Sequence, residues 1–162
     1  MGSRELVTRG EPEPLKLTSE IPIACIPGVF TREQRVAQME ISIDAISRWP
    51  LRRHELADGY LFEYEGDEER FVALARWASG EHRCCPWASY SIEMAPFADQ
   101  MPGNIRVRVR ATEEGVAFLR TCYQYVEKLQ GEAPPDSLFN PDRTAPITPG
   151  EVERELERCG GC

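Results

Sequence analysis

Two adjacent thiols, Cys84 and Cys85, stand in the segment GEHRCCPW and have the most distinctive chemistry in the sequence. His82 and Arg83 precede them, and a positive charge close to a thiol lowers its pKa and raises the fraction present as thiolate. Thiolate is both a nucleophile and a ligand that selects soft metal ions. The pair is therefore a candidate for metal binding or for thiol–disulfide exchange. The simpler alternative is one buried cysteine beside one small surface residue.

A vicinal pair needs a further ligand to make a complete metal site. Adjacent side chains diverge, and the cysteines of tetrahedral zinc sites are usually separated by roughly two to four residues. Two thiolates with a third from elsewhere instead suit a soft ion of low coordination number, such as mercury(II) or copper(I). Cys25 closes an apolar run just before a Pro-Gly turn and is the best candidate for the third sulfur. A structural zinc site is an alternative, with the ligands Cys25, His82, Cys84 and Cys85.

The chain ends in CGGC, which contains a second thiol pair, Cys159 and Cys162. This spacing suits a metal clamp and also a redox pair. The two glycines between the thiols allow both sulfurs to turn toward one point. We expect this pair either to capture an ion and pass it to Cys25, Cys84 and Cys85, or to resolve a mixed disulfide formed there.

Two further residues near the thiols are candidates for a role. Glu81 precedes Cys84 by three residues, so the two would share one face of a helix. If two thiolates held an organomercurial, Glu81 could protonate the leaving carbon; an ion pair with Arg83 or His82 is the simpler alternative. Cys122 falls on the apolar stripe of a predicted helix, which favours plain core packing.

The hydrophobic pattern places these residues on an α+β fold. Ile105, Val107 and Val109 alternate with arginines, which is typical of a strand with one wet face. We expect an antiparallel sheet with helices packed on one face, a ferredoxin-like sandwich. The predicted elements are a strand over 21–25, a helix from Thr31 to about Trp49, a hairpin turning at Asp58-Gly59, a helix from Asp67 to the cysteine pair, strands over 88–94 and 105–110, and a long helix from Thr112.

The composition bounds the domain organisation. A chain of 162 residues suggests one domain. Residues 1–19 are polar and are predicted to be a flexible segment, and residues 20–130 to be the α+β core. Residues 131–162 are predicted to be a Pro-rich linker followed by a short helix and the terminal CGGC. The short helix begins at a Thr148–Glu151 capping box and would dock through Val152 and Leu156.

Charge and hydropathy argue against several classes of partner. The net charge of −8 disfavours nucleic acid and anionic membrane surfaces. No apolar run approaches the roughly 18 residues of a membrane span, and the N-terminal residues lack the apolar stretch of a secretory signal. We therefore predict a cytoplasmic protein. Its six cysteines are then more readily explained as free thiols or ligands than as structural disulfides.

The motifs IAC, DGYLFEY and EHRCCPW resemble a family of small, largely uncharacterised bacterial proteins. These carry an N-terminal Ala-Cys and a Glu-Arg-x-Cys-Cys-Pro-Phe motif, and some are associated with mercury or other metal resistance. The match covers about residues 21–125, and His82 and Trp87 depart from the pattern, which has arginine and phenylalanine there. CGGC lies outside it. The matching positions are Cys25, Glu81, Cys84, Cys85 and Pro86.

Three functional hypotheses follow from these residues and this resemblance. The leading one is cytoplasmic, thiol-based binding of a soft metal, mercury(II) or an organomercurial, in detoxification. The second is a thiol–disulfide oxidoreductase in which CGGC resolves the disulfide and a thiol-bearing protein is the partner. The third is a small interaction domain with structural zinc. Cys84, Cys85 and Glu81 are the candidate catalytic residues. The candidate metal ligands are Cys25, Cys84, Cys85, Cys159 and Cys162.

Overall fold

The computed structural model describes residues 10–13, 15–95, 104–129 and 137–158. None of the helices in these ranges has the length and apolarity needed to cross a membrane. In chain order the elements are a 3-10 turn (Pro27–Val29), α1 (Arg32–Ile43), a π-helical turn (Asp44–Arg48), β1 (Pro50–Leu56), β2 (Gly59–Tyr64), α2 (Glu68–Cys84), β3 (Ser89–Met94), β4 (Ile105–Arg110), α3 (Glu113–Lys128) and α4 (Pro149–Arg158).

The four strands form one sheet in the order β1-β2-β4-β3, with every neighbouring pair antiparallel. The predicted α+β class is confirmed. The order of the elements differs from the β-α-β-β-α-β order of ferredoxin-like folds. Here β1 pairs with β2, β3 pairs with β4, and the two pairs are joined into one sheet between β2 and β4. The predicted turn at Asp58-Gly59 joins β1 to β2. Gly59 has a φ of +153°, and a Cβ there would collide with the carbonyl of Val109.

One face of the sheet is buried and the other is in solvent. Tyr60, Phe62 and Tyr64 of β2 lie opposite Val109, Val107 and Ile105 of β4, and all six are at most 3% exposed. The intervening residues form ion pairs on the outer face, among them Arg106 with Glu63 and Arg110 with Asp58. The alternation predicted from the sequence therefore separates a packed face from a charged one.

The helices cover the buried face of the sheet. Trp77 of α2 and Tyr123 of α3 pack edge-on against Phe62, with ring centroids 5.9 and 5.5 Å from it. α1 lies against α2 at Gly80, where a Cβ would overlap the amide of Gln38. The predicted caps are present, since Thr31, Asp67 and Thr112 each accept a hydrogen bond from a backbone N–H of the first helical turn.

The strand predicted over 21–25 is not formed. Only Cys25 makes a bridge, and its partner is Ile147 near the C-terminus. Pro22 offers no N–H for a ladder, and Pro27 turns the chain directly afterwards. The segment therefore runs alongside the core with a single paired residue.

The C-terminal residues 137–158 pack against the core. Ile147 and Val152 are fully buried, and Leu156 packs against the core cluster. Arg35 of α1 donates to the carbonyl of Pro141 at 2.7 Å, which ties the stretch before Ile147 to the first helix. The predicted short helix is present as α4 and begins at the expected Thr148–Glu151 capping box.

Candidate metal centre

Three sulfur atoms from distant parts of the chain meet at one point. The Sγ atoms of Cys25, Cys84 and Cys85 all lie within 4.8 Å of one another. Those of Cys84 and Cys85 are 3.6 Å apart. The three residues are 9%, 4% and 6% exposed, so the group is buried. The structure thus brings together the vicinal pair and the candidate third sulfur.

The end of α2 sets the direction of the vicinal pair. Cys84 is the last helical residue, and Cys85 caps the helix with φ −125° and ψ 66°. The N–H of Cys85 still donates to the carbonyl of Glu81 at 2.7 Å, and the chain then turns through Pro86 toward β3. Because the backbone leaves helical geometry at Cys85, two adjacent side chains that would otherwise diverge place their sulfurs side by side.

Backbone hydrogen bonds hold Cys25 against this helix end. Cys25 and Ile147 exchange two such bonds of 2.9 and 2.7 Å, and the N–H of the residue after Cys25 donates to the carbonyl of Cys84 at 2.9 Å. The indole N–H of Trp87 donates to the carbonyl of Ala24 at 2.8 Å. The third sulfur is thus positioned by the C-terminal segment on one side and the α2–β3 junction on the other.

Cys25 is the most acidic of the three thiols. Hydrogen bonds from the thiols of Cys84 and Cys85 hold the pKa of Cys25 well below its ordinary value, and the nearby charge of Arg143 acts in the same direction. The contact with Cys25, together with burial, raises the pKa of Cys84 and of Cys85 well above the ordinary value. Within the cluster, Cys25 is therefore the thiol that loses its proton most readily.

Glu81 places an acid between α2 and α1. Its carboxylate accepts hydrogen bonds from Gln38 Nε2 at 2.9 Å and from Ser42 Oγ at 2.8 Å. Burial, and then the charge on Cys25, raise the pKa of Glu81 to about 7, although these hydrogen bonds act in the opposite direction. Glu81 is therefore an acid that retains a proton close to neutral pH.

The two basic residues beside the thiols contact groups other than Glu81. Arg83 donates to the carbonyl of Val29 and lies over the ring of Phe30. His82 Nδ1 lies 3.2 Å from the carbonyl oxygen of Ala88. His82 is outside the group of ligand atoms that converge in the described part of the chain. The structure therefore supports a three-sulfur donor set without the histidine of the zinc alternative.

A cavity of about 70 Å³ adjoins the sulfurs. Its wall is mostly apolar, and it also includes Glu81, Cys122 and Tyr123. Sequence reasoning assigned Cys122 to core packing and overlooked its place on this wall. It also overlooked Gln38 and Ser42, because no local pattern relates α1 to Glu81 across some 40 residues.

The second thiol pair lies outside the part of the chain that the structure describes. The described residues end at Arg158, which is also the last residue of α4. Cys159 and Cys162 lie in the four residues after it. Their contribution to the site stays a prediction.

The fold and the site define an α+β protein with a buried three-cysteine cluster that can hold a metal ion. Comparisons with models of protein families, with curated proteins and with solved structures find no match for the chain. The resemblance to bacterial proteins with a Cys-Cys-Pro-Phe motif therefore stays a prediction that rests on the motifs.

Proposed function

We propose that the protein binds mercury(II) or an organomercurial through Cys25, Cys84 and Cys85, and so removes the ion from solution. The observation that carries the proposal is the convergence of three buried sulfurs within 4.8 Å. Thiolate ligands select soft ions, whereas magnesium and calcium require oxygen donors. The mostly apolar wall around the sulfurs disfavours hydrated hard ions further.

The upper limit on the distances between the sulfurs is compatible with an ion that accepts two ligands. With metal–sulfur bonds of about 2.3 Å, a linear two-coordinate ion needs sulfurs about 4.6 Å apart. The limit of 4.8 Å allows Cys25 to form such a pair with either neighbour. The Cys25 thiolate would bind first, and a thiol of the adjacent pair would follow as it loses its proton.

The cavity and Glu81 support an organomercurial as the ligand. An apolar organic group would occupy the cavity while two thiolates hold the mercury. The carboxyl of Glu81 would transfer its proton to the carbon atom as the mercury–carbon bond breaks. The electron pair of that bond forms the new carbon–hydrogen bond, so the hydrocarbon leaves and mercury(II) stays on the thiolates.

Titration of the reduced protein with mercury(II), in competition with a small thiol, tests the binding proposal. Cys159→Ser and Cys162→Ser are introduced in every sample so that the terminal pair does not mask the core site. We expect one mercury(II) per chain, and a loss of at least about tenfold in affinity, or 1.4 kcal/mol, after Cys84→Ser with Cys85→Ser.

Cys122→Ser is the matched control for this titration. It removes a thiol from the same cavity without touching the three-sulfur cluster, so the affinity for mercury(II) should be unchanged. Circular dichroism establishes that each variant is folded. Equal affinity of the unsubstituted core and the Cys84→Ser, Cys85→Ser protein would contradict the proposal.

A further inference from the structure

The distance between the sulfurs of Cys84 and Cys85 suits a narrow sulfur–metal–sulfur angle. Two sulfurs 3.6 Å apart, each about 2.3 Å from a common centre, subtend about 100° there. With the same bond length, a planar three-coordinate centre needs sulfurs about 4.0 Å apart and a linear centre about 4.6 Å. The spacing of Cys84 and Cys85 therefore matches a pyramidal or tetrahedral centre, with Cys25 as a further ligand.

The net charge of the complex distinguishes a divalent from a trivalent centre. Three thiolates around a divalent ion carry a net charge of −1, whereas three thiolates around a trivalent centre are neutral. Burying an uncompensated charge is costly. The guanidinium of Arg143 is paired with Glu151 at 3.0 Å, and the guanidinium of Arg35, on the cavity wall, donates to two backbone carbonyls. A neutral complex needs no further compensation in this position.

We propose that Cys25, Cys84 and Cys85 together bind a trivalent metalloid, arsenic(III) or antimony(III), as a pyramidal three-thiolate complex. This inference rests on the proposed thiol site and names a second class of ligand for it. Three As–O bonds of arsenous acid break and three As–S bonds form. Each hydroxide leaves as water with one proton, which comes from the thiol that replaces it or, where that thiol has already ionised, from the solvent. Arsenic therefore keeps its oxidation state.

The cavity suits the incoming molecule as well as the product. Its volume of about 70 Å³ accommodates a small neutral molecule such as arsenous acid. Tyr123 lies on its wall, is 3% exposed, and its hydroxyl has no hydrogen-bond partner among the described residues. Such a buried hydroxyl can donate to an oxygen ligand of the metalloid before that ligand leaves as water.

Native mass spectrometry with inorganic arsenite tests the inference. The protein is the reduced chain of 162 residues with Cys159→Ser and Cys162→Ser, which leaves the three core thiols and Cys122. We expect a species heavier by one arsenic atom and lighter by three hydrogens. An adduct that retains one hydroxide and loses only two hydrogens would show binding by two thiols and overturn the inference.

Single substitutions separate the metalloid from mercury(II). Cys84→Ser and Cys85→Ser should each weaken arsenite binding by at least about tenfold, because all three sulfurs are required. Each variant keeps a pair that includes Cys25, so mercury(II) binding should fall much less. Glu69→Gln, a change at an exposed site on α2 outside the cavity, should leave arsenite binding unchanged, and a loss as large as that of Cys84→Ser would overturn the three-sulfur assignment.

Measurements with both ligands, mercury(II) and arsenite, distinguish the failure of this inference from the failure of the proposed function. Binding of mercury(II) without an arsenite adduct overturns the inference and leaves the proposed function standing. Failure of the folded, reduced protein to bind either ligand overturns both. The mass measurement on the chain with intact core thiols does not depend on the folding of any core variant.

Discussion

A carboxyl group and an acidic thiol line one small cavity. Two neighbouring thiols lower the pKa of Cys25 by hydrogen bonding, and negative charge on Cys25 adds to the effect of burial in raising the pKa of Glu81. With a pKa of about 7, Glu81 keeps a proton that an exposed glutamate has already lost at neutral pH. The site therefore combines a thiol of lowered pKa with a carboxyl of raised pKa, the pair of groups that the proposed cleavage requires.

We expect Glu81→Gln to retain mercury(II) binding while it loses the release of benzene from phenylmercury. Glutamine keeps the size of the side chain but has no acidic proton to transfer, so the rate should fall by at least about 100-fold. Gas chromatography of the headspace measures the product. Glu69→Gln, an exposed acid on the same helix, is the matched control and should release benzene at the original rate. Equal rates for Glu81→Gln and the unsubstituted protein would exclude Glu81 as the donor.

The pH dependence of stability gives Glu81→Gln an independent control. Folding raises the pKa of Glu81 from 4.5 to about 7, so its contribution to stability is lost as the pH rises through this window. Glutamine does not ionise and avoids that loss. Urea unfolding at about pH 5 and about pH 8 should therefore show the variant gaining stability relative to the unsubstituted protein at the higher pH, by at most about 1.4 kcal/mol per pH unit.

The junction between α2 and β3 organises the site by ending one element and anchoring another. The helix ends at the cysteine pair, and three residues later the indole of Trp87 reaches back to the carbonyl beside Cys25. The same ring packs on Phe118 of α3, with centroids 5.6 Å apart. One side chain thus connects the N-terminal segment, the cysteine pair and the last long helix.

Trp87→Phe should lower both stability and metal affinity. The change removes the hydrogen bond to Ala24 and leaves space in a site that is 3% exposed, which we expect to cost about 1–3 kcal/mol. Mercury(II) should bind more weakly because the segment of Cys25 loses one of its anchors. Urea unfolding and the competition titration measure the two effects. Trp49→Phe, a partly buried site under Arg70, should leave mercury(II) affinity unchanged.

At the level of the whole molecule, the two ends of the described chain complete the site together. Cys25 lies near the start, and Ile147, which pairs with it, lies in the C-terminal segment. Phe139 and Asn140 of the same segment lie on the cavity wall. The C-terminal residues therefore belong to the core site as well as carrying the terminal thiol pair.

Two truncations test this role of the C-terminal segment. Removal of residues 159–162 should leave stability and the core affinity for mercury(II) unchanged. Removal of residues 137–162 takes away Ile147 and Val152 and exposes the core surface that they cover. We expect this change to lower the free energy of unfolding by at least about 3 kcal/mol and to weaken mercury(II) binding. Urea unfolding and the competition titration measure both. If the chain without residues 137–162 binds mercury(II) as tightly as the chain without residues 159–162, the C-terminal segment has no part in the site.

Local patterns were enough to predict most of the elements. The helix starts at Thr31, Asp67 and Thr112 follow from side chains that cap the first turn, and β4 follows from alternation with one wet face. The missing strand over 21–25 has a different origin. An apolar run is compatible with a strand, but a ladder also needs a partner, and the partner available here is a single distant residue, Ile147.

The cysteines themselves were identifiable from the sequence, because adjacent thiols beside basic residues and a Pro turn are unusual wherever they fold. That Cys25 meets Cys84 and Cys85 was a prediction that only the folded chain could decide. The reason is physical: the meeting depends on hydrogen bonds to Ile147 and Trp87, and neither is near Cys25 in sequence. The cavity, the raised pKa of Glu81 and the place of Cys122 on the wall arise in the same way, since burial and electrostatic neighbours exist only after distant segments have packed together.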